Sequence, residues 1–184
     1  MAHQATSDAY VELAPRCLLQ RPELAALLGV IASEWAALES NLTFLYGSLL
    51  GKTMPHDHTN GPPVHPIGIQ IFETLESQHK RITLIEKLTN TLVKDVALLS
   101  ELTAVVQSIK AAGKQRNKFL HANWGTNDTQ YPNAILKINA PGQFDVYEKS
   151  DFNEAIDLII TTADAVIKFE FNVINHFRTT TQLI

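Results

Sequence analysis

The sequence predicts an all-α protein, a four-helix up-down bundle with a small β-hairpin inserted before the last helix. Three observations predict this fold. The eight prolines leave three long proline-free windows, 23–54, 67–131 and 142–184, and helices must lie there because proline breaks helix interiors. Apolar residues recur at helical spacing in each window. Finally, a Pro-Gly pair stands between two short apolar segments, which is the pattern of a hairpin turn.

The first window predicts one long helix that begins at Pro22 and ends near Gly47 or Gly51. Leucine and isoleucine recur there at intervals of three, four and seven residues. Proline suits the first helical position, and Glu23 favours the positive end of the helix dipole. The proline-rich segment 51–66 then forms a long loop, and loops of this length tend to be functional or disordered.

The second window predicts two helices. The first carries an apolar stripe from Ile71 to Leu92, and the second extends from about Val96 to His121, with Asp95 as a possible N-cap.

A hairpin is predicted at about 134–148, with its turn at Pro141-Gly142, so its second strand lies at the start of the third window. The last helix is predicted to start near Asp151, because Glu154 stands three residues further on in the capping-box pattern. Four amphipathic helices and one hairpin predict a single domain over residues 1–184.

Composition limits the possible function classes. The net charge of −4 provides no overall positive field for nucleic acid, so any RNA contact must depend on a local basic patch. The single residue Cys17 excludes a disulfide framework and a cysteine-based zinc site, and its apolar neighbours predict burial. The first residues lack the pattern of a signal peptide, and no apolar run approaches the roughly 18 residues of a membrane span. These features predict a cytoplasmic protein without membrane contact.

The third helix changes character in its last two turns. At about 100° per residue, Gly113, Asn117 and Trp124 continue the apolar stripe, and Arg116 and His121 flank it. A buried amide must be hydrogen-bonded, and a buried guanidinium needs an anion or a wet cavity. Residues that break the local pattern at such a cost are typical of functional sites.

A structural role for the same residues stays open. Arg116 could be tied to Glu34 or Glu39 on the first helix, with Glu34 and Glu39 acting only as its ion-pair partners. On a helix, Arg116 and His121 project about 140° apart, so one copy is not expected to bring both to one phosphate.

Arg116-Asn117-Lys118-Phe119-Leu120-His121 has the form of an arginine, four residues and a histidine. This form resembles the signature of HEPN domains, and it lies late in a bundle helix, as in that family. The wider stretch to Trp124 is similar to the Arg-Asn…His…Trp stretch of many small bacterial HEPN-like proteins, and so is Trp35-Ala36-Ala37-Leu38-Glu39 on the first helix. The resemblance covers most of residues 22–178.

The resemblance implies a homodimer, because HEPN domains commonly bring two copies of this motif helix together. Many are metal-independent ribonucleases in toxin–antitoxin, phage-defence or RNA-processing systems. It implies Arg116 and His121 as the catalytic pair, with Asn117 orienting them and no cofactor. The expected function is a metal-independent endoribonuclease or an RNA-binding toxin- or defence-type protein. The alternative is a non-catalytic HEPN-like scaffold that binds a cognate partner protein.

The chemistry is consistent with that implication. Histidine titrates near neutral pH, so His121 could act as a general acid or base on RNA. Arginine could hold a phosphate with its planar fork and stabilise developing charge. Lys114 and Lys118, together with Lys110, form a modest basic cluster near Arg116, enough for one or two phosphates.

Other histidines are weaker candidates. His56, His58 and His65 share the proline-rich loop with Asp57 and could bind zinc or nickel, but the loop has no regular ligand frame. The prediction is therefore no built metal site. The two remaining candidates, His79 and His176, are predicted to be surface or hydrogen-bonded core residues.

Overall fold

The computed structural model describes residues 3–6, 16–51 and 64–181, with the backbone alone for 3–6 and 181. These residues are mostly helical, so the predicted mainly-α class is confirmed. In chain order the elements are β1 (His3–Thr6), α1 (Cys17–Gln20), α2 (Pro22–Gly51), α3 (Pro66–Glu73), α4 (Gln78–Leu92), α5 (Val96–Leu120), β2 (Trp124–Gly125), β3 (Ile135–Ala140), β4 (Gln143–Tyr147) and α6 (Lys149–Thr181).

Helix α2 matches its predicted bounds, and proline is its first residue. Most of the predicted loop 51–66, positions 52–63, lies outside the described residues. Its end is described: His65 caps helix α3, because its Nδ1 accepts a hydrogen bond of 3.1 Å from the backbone N–H of Gly68. The backbone N–H of His65 in turn donates to the carbonyl of Gly47 in α2, at 3.2 Å.

The single helix predicted up to Leu92 is in fact two, α3 and α4, and the prediction was wrong on this point. The hydroxyl of Thr74 donates to the Ile71 carbonyl at 2.7 Å, which ends the first helix. Arg81 then holds the connecting segment, since its Nε donates to the Leu75 carbonyl at 2.7 Å and its Nη2 to the Glu73 carbonyl at 3.4 Å. The carbonyls at this break are therefore satisfied by a side chain.

Two helix starts follow local sequence signals. The carboxylate of Asp95 accepts from the backbone N–H groups of Ala97 at 2.8 Å and Leu98 at 3.1 Å, as its predicted N-cap role requires. Helix α6 begins two residues before the predicted Asp151, whose Oδ2 accepts from the backbone N–H of Glu148 at 2.9 Å. This bond is the reciprocal half of a capping box, with Asp151 in place of Glu154.

The predicted hairpin is present as β3 and β4, joined through Gly142. Gly142 has φ of 71°, the left-handed value that a type II turn needs at its third residue. The structure adds two strands that the sequence analysis did not predict. The antiparallel sheet has the order β1-β4-β3-β2, with β1 against β4 and β2 against β3.

The chain divides into two compact units. The first comprises Met1–Trp35 and Ala111–Ile160, and the second comprises Ala36–Lys110 and Thr161–Ile184. In the first unit, one face of the sheet forms a small core with Tyr131 packed against it; its members are Ala134, Leu136, Phe144 and Val146. Tyr147 belongs to the opposite face, because side chains alternate along a strand.

The second unit is held by helix packing and by a few polar bonds between helices. Tyr46 stacks on Phe72 with ring centroids 4.7 Å apart. The hydroxyl of the buried Ser48 donates to the Glu170 carboxylate at 2.7 Å. An added Cβ at Gly47 would lie 2.7 Å from the Val64 side chain, so α2 needs a glycine where the chain before α3 crosses it.

Within the described residues, one helix, α5, is long and apolar enough to cross a membrane by length and composition. Core helices of globular proteins meet the same criterion, so this finding does not assign the helix to a membrane.

Candidate functional site

The candidate site lies at the C-terminal end of α5, in the first unit. Arg116, Asn117 and Lys118 occupy its last turns, and the helix ends at Leu120. His121 follows directly, with its backbone N–H donating to the Asn117 carbonyl at 3.3 Å. The backbone at this helix end therefore places the histidine over the turn that carries the arginine.

The three predicted catalytic residues are in direct contact. Nη1 of Arg116 donates a hydrogen bond of 2.9 Å to Oδ1 of Asn117. The same nitrogen lies 3.0 Å from Nε2 of His121. A guanidinium has no acceptor atom, so the arginine is the donor in both bonds. We call this group, Arg116, Asn117 and His121, the Arg–Asn–His cluster.

The contact between Arg116 and His121 corrects the helical projection, which separated the two side chains by about 140°. The projection fails at Trp124, which belongs to β2, but His121 still donates the helical bond to the Asn117 carbonyl. The projection gives only the direction in which a side chain leaves the backbone. The long arginine side chain spans that angle and meets the imidazole within one copy of the chain.

Trp35 of α2 supports the arginine from the other side. Its side chain is 5% exposed, and the guanidinium carbon of Arg116 lies 5.8 Å from the centre of its ring. A guanidinium over an indole face gains a cation–π attraction. The Nε atom of Arg116 is buried and has no hydrogen-bond partner among the residues that the structure describes. The arginine is thus held partly out of water, which strengthens its charge interactions.

Glu34 and Glu39, the predicted ion-pair partners of Arg116, occupy other positions. Glu39 is in the second unit, where its Oε1 lies 3.4 Å from Nη1 of Arg81. Glu34 is half-buried and forms no ion pair with the residues that the structure describes. The guanidinium is contacted by an amide, an imidazole and a ring face where a carboxylate was expected. Because these groups are uncharged, no second charge has to be desolvated.

The predicted phosphate-binding lysines flank the cluster on the same helix. Lys114 and Lys118 are both exposed, and Nζ of Lys118 lies 5.6 Å from the centre of the Tyr147 ring. Over the described part of the chain, neither lysine pairs with a carboxylate. The end of α5 therefore carries three positive charges, including Arg116, which an acidic ligand group could neutralise.

An aromatic cluster anchors this end of α5. Phe119 is 2% exposed and lies 4.8 Å from Phe152, 5.2 Å from Tyr147 and 6.3 Å from Trp124, measured between ring centroids. Tyr147 and Trp124 meet edge to face at 5.4 Å. Because Phe119 lies in the chain between Arg116 and His121, these ring contacts fix the backbone on which the Arg–Asn–His cluster depends.

The Tyr147 hydroxyl is the least satisfied group of the aromatic cluster. The side chain is 1% exposed, and its hydroxyl has no hydrogen-bond partner in the described part of the chain. Burial raises the pKa of Tyr147 to about 12, and the nearby charges of Asp145 and Asp151 add to this shift. The folded protein therefore resists ionisation of this phenol.

Tyr147→Phe is expected to raise stability, because it removes a buried hydroxyl without a partner. In the unfolded chain the phenol ionises near pH 10, and in the folded protein near 12. Below pH 10 the phenol is protonated in both states and does not change the stability with pH. As the pH rises from 10 to 12, the phenol ionises in the unfolded chain first, so the folded protein loses stability. The stability advantage of the variant should widen between pH 8 and pH 11, measured by urea unfolding at both values. An advantage that narrows over this interval would contradict the assignment. Burial also raises the pKa of Tyr46, so Tyr46→Phe should show a change with pH in the same direction.

The remaining candidates do not form a second centre. His79 is exposed on α4, and His176 is half-buried with its ring centroid 6.0 Å from that of Phe177. Cys17 is buried, as predicted, and burial raises the pKa of its thiol. Among the described residues, His, Cys, Asp and Glu side chains form no group of three that could hold a metal ion.

The histidine-rich loop is described only at its end. His56, Asp57 and His58 lie outside the described residues, and His65 is engaged as the cap of α3.

Sequence reasoning missed the role of Trp35 and of the aromatic cluster in this site. Trp35 falls on the apolar stripe of α2, between the buried Ile31 and Leu38, so its spacing alone indicates only a core residue.

Comparison of the chain with protein-family models, with curated proteins and with solved structures finds no match.

Proposed function

We propose that this protein is a HEPN-like, metal-independent endoribonuclease that acts as a homodimer in toxin–antitoxin or defence systems. One observation supports the proposal above the others: Nη1 of Arg116 lies 3.0 Å from Nε2 of His121, with Asn117 bound to the same nitrogen. A cation for a phosphate and a group for proton transfer therefore lie side by side. The proposed fold is the four-helix up-down bundle, with α2, α4, α5 and α6 as its four long helices.

The proposed reaction is a transesterification, in which the 2′-hydroxyl attacks the phosphorus of the neighbouring phosphodiester. Nε2 of His121 takes the proton of the 2′-hydroxyl, and the 2′-oxygen forms a bond to phosphorus. The bond from phosphorus to the 5′-oxygen breaks, and that oxygen takes a proton. The products are a 2′,3′-cyclic phosphate and a 5′-hydroxyl. Arg116 stabilises the negative charge that develops on the phosphoryl oxygens.

The homodimer supplies the second proton-transfer group. One histidine cannot take one proton and give another to the leaving oxygen in the same step, so a second group is needed. A two-fold axis next to the end of α5 would bring His121 of the other copy to the same phosphate. Lys114 and Lys118, exposed on the same helix, would bind the flanking phosphates of the RNA.

The test is RNA cleavage by the purified protein in excess EDTA. We expect cleavage of cellular RNA to leave 2′,3′-cyclic phosphate ends, and His121→Ala to lower its rate by at least about 100-fold, since general acid–base catalysis contributes that much. His79→Ala is the matched control, because His79 is an exposed histidine elsewhere on a helix. Cleavage that EDTA abolishes, or equal rates for His121→Ala and the unchanged protein, would refute the proposal.

The second candidate function is a non-catalytic HEPN-like scaffold that binds a cognate partner protein. The observation in its favour is the burial of Arg116 Nε beside Trp35, which is the environment of a structural arginine. This candidate predicts that substitution of Arg116 lowers mainly the melting temperature. The cleavage rate and the stability of Arg116→Ala, measured together, separate the two candidates.

A further inference from the structure

The bond between Arg116 and His121 has a consequence for the free protein. A guanidinium only donates hydrogen bonds, so Nε2 of His121 must carry a lone pair at 3.0 Å from Nη1. The ring is therefore neutral in this arrangement, with its proton on Nδ1. The atom that would take the proton from the 2′-hydroxyl is occupied by the arginine while no substrate is bound.

The two hydrogens of Nη1 are both in use. One is directed to Oδ1 of Asn117 at 2.9 Å and the other to His121. Within the described residues the buried Nε has no partner, and it is closed to solvent, so a phosphate cannot reach that edge without a movement of the side chain. The remaining edge of the planar fork is the pair Nη1 and Nη2, and a phosphate held by both nitrogens must displace either the amide or the imidazole at Nη1.

Of these two, the imidazole is the easier to displace. His121 is exposed and lies beyond the end of α5, whereas Asn117 is the residue next to Arg116 within the helix. A bond from a guanidinium to a phosphate oxygen joins opposite charges, so it gains a Coulomb attraction that the bond from the same guanidinium to a neutral imidazole lacks. The imidazole in its present bond is neutral, so the phosphate forms the stronger hydrogen bond with Arg116.

We infer that Arg116 and His121 form a latch that an RNA phosphodiester opens, which frees Nε2 of His121 only when substrate is bound. This inference rests on the proposed function and adds its control by substrate. A phosphate oxygen replaces Nε2 at Nη1, and the released nitrogen stays close enough to reach the neighbouring 2′-hydroxyl. In the free enzyme, the hydrogen bond with Arg116 thereby prevents Nε2 of His121 from acting as a base.

The first measurement is the position of the ring proton of His121, by 15N NMR at pH 8, where histidine rings are ordinarily neutral. We expect the Nδ1–H form to exceed the Nε2–H form by at least about tenfold, since hydrogen bonds to charged groups are strong enough for this bias. Arg116→Ala should abolish the excess, and Arg178→Ala, at an exposed arginine of α6, should preserve it. An Nε2–H majority in the unchanged protein would overturn the inference.

The second measurement is binding of a dinucleoside monophosphate that lacks the 2′-hydroxyl and so cannot be cleaved. Because closing of the latch competes with the phosphate, His121→Ala should bind this diester more tightly than the unchanged protein, by about tenfold. His79→Ala should leave the affinity unchanged. Weaker or equal binding by His121→Ala would overturn the latch, because it would mean that no bond has to open.

These results are independent of the cleavage assay. A protein that cleaves RNA through His121 but binds the diester less tightly without it has the proposed activity and no latch. A protein that shows the tautomer excess and tighter binding, yet cleaves no RNA, has the latch at a phosphate-binding site and lacks the proposed activity.

Discussion

Arg116→Ala is expected to lower RNA cleavage by about 100- to 1,000-fold, because loss of one preorganised donor to a developing oxyanion has an effect of this size. The variant loses both the cation for the phosphate and the contact with His121. Stability should fall by only about 1 kcal/mol, through loss of the cation–π contact with Trp35. The measurements are the cleavage rate in EDTA and the urea midpoint of the same preparation.

Two matched variants sharpen this result. Arg116→Lys keeps the charge but loses the planar fork, so it should restore much of the stability and little of the activity. Arg178→Ala removes an exposed arginine and should change neither. A lower melting temperature at unchanged cleavage would contradict the catalytic role of Arg116 and would support the scaffold function.

Phe119→Ala is expected to destabilise the protein by about 3–5 kcal/mol, the usual range for truncation of a buried phenylalanine. Its ring meets three other aromatic rings within 6.3 Å, and all these contacts are lost in the variant. Urea unfolding at neutral pH measures the change. Cleavage should also fall at temperatures where the variant is still folded, because the end of α5 carries Arg116 and His121.

The control for Phe119→Ala is Phe171→Ala on α6. Phe171 is 62% exposed, so its truncation should change the free energy of unfolding by less than about 0.5 kcal/mol. Similar losses for the two variants would show that the ring contacts of Phe119 do not stabilise the end of α5.

Local signals predicted much of this fold. Asp95 caps α5 and Gly142 turns the hairpin because each acts on backbone groups within three residues of itself. The break between α3 and α4 was missed, since the carbonyls there are satisfied by Arg81, from the following helix. Strand β1 was missed because its partner β4 is remote in the sequence and no local pattern identifies it.

The candidate site shows the same division. Helical spacing found Arg116, Asn117 and His121, since a polar group in an apolar stripe is visible in the sequence. It could not find the contact between the arginine and the histidine, which depends on the path of the long arginine side chain. Nor could it find the support from Trp35, because this contact joins two helices whose packing the sequence leaves open.

The pairing of β1 with β4 has a consequence for the synthesis of the protein. His3 lies opposite Val146, so the outer strand of the sheet closes a chain segment of about 140 residues. Contacts between residues so far apart in the sequence form slowly, because the intervening segment loses conformational entropy before the contacts can stabilise it. On the ribosome β1 emerges long before β4 exists, and its free edge stays unprotected throughout that time. The sheet is therefore completed at a late step of folding, after β3 and β4 have formed their local hairpin.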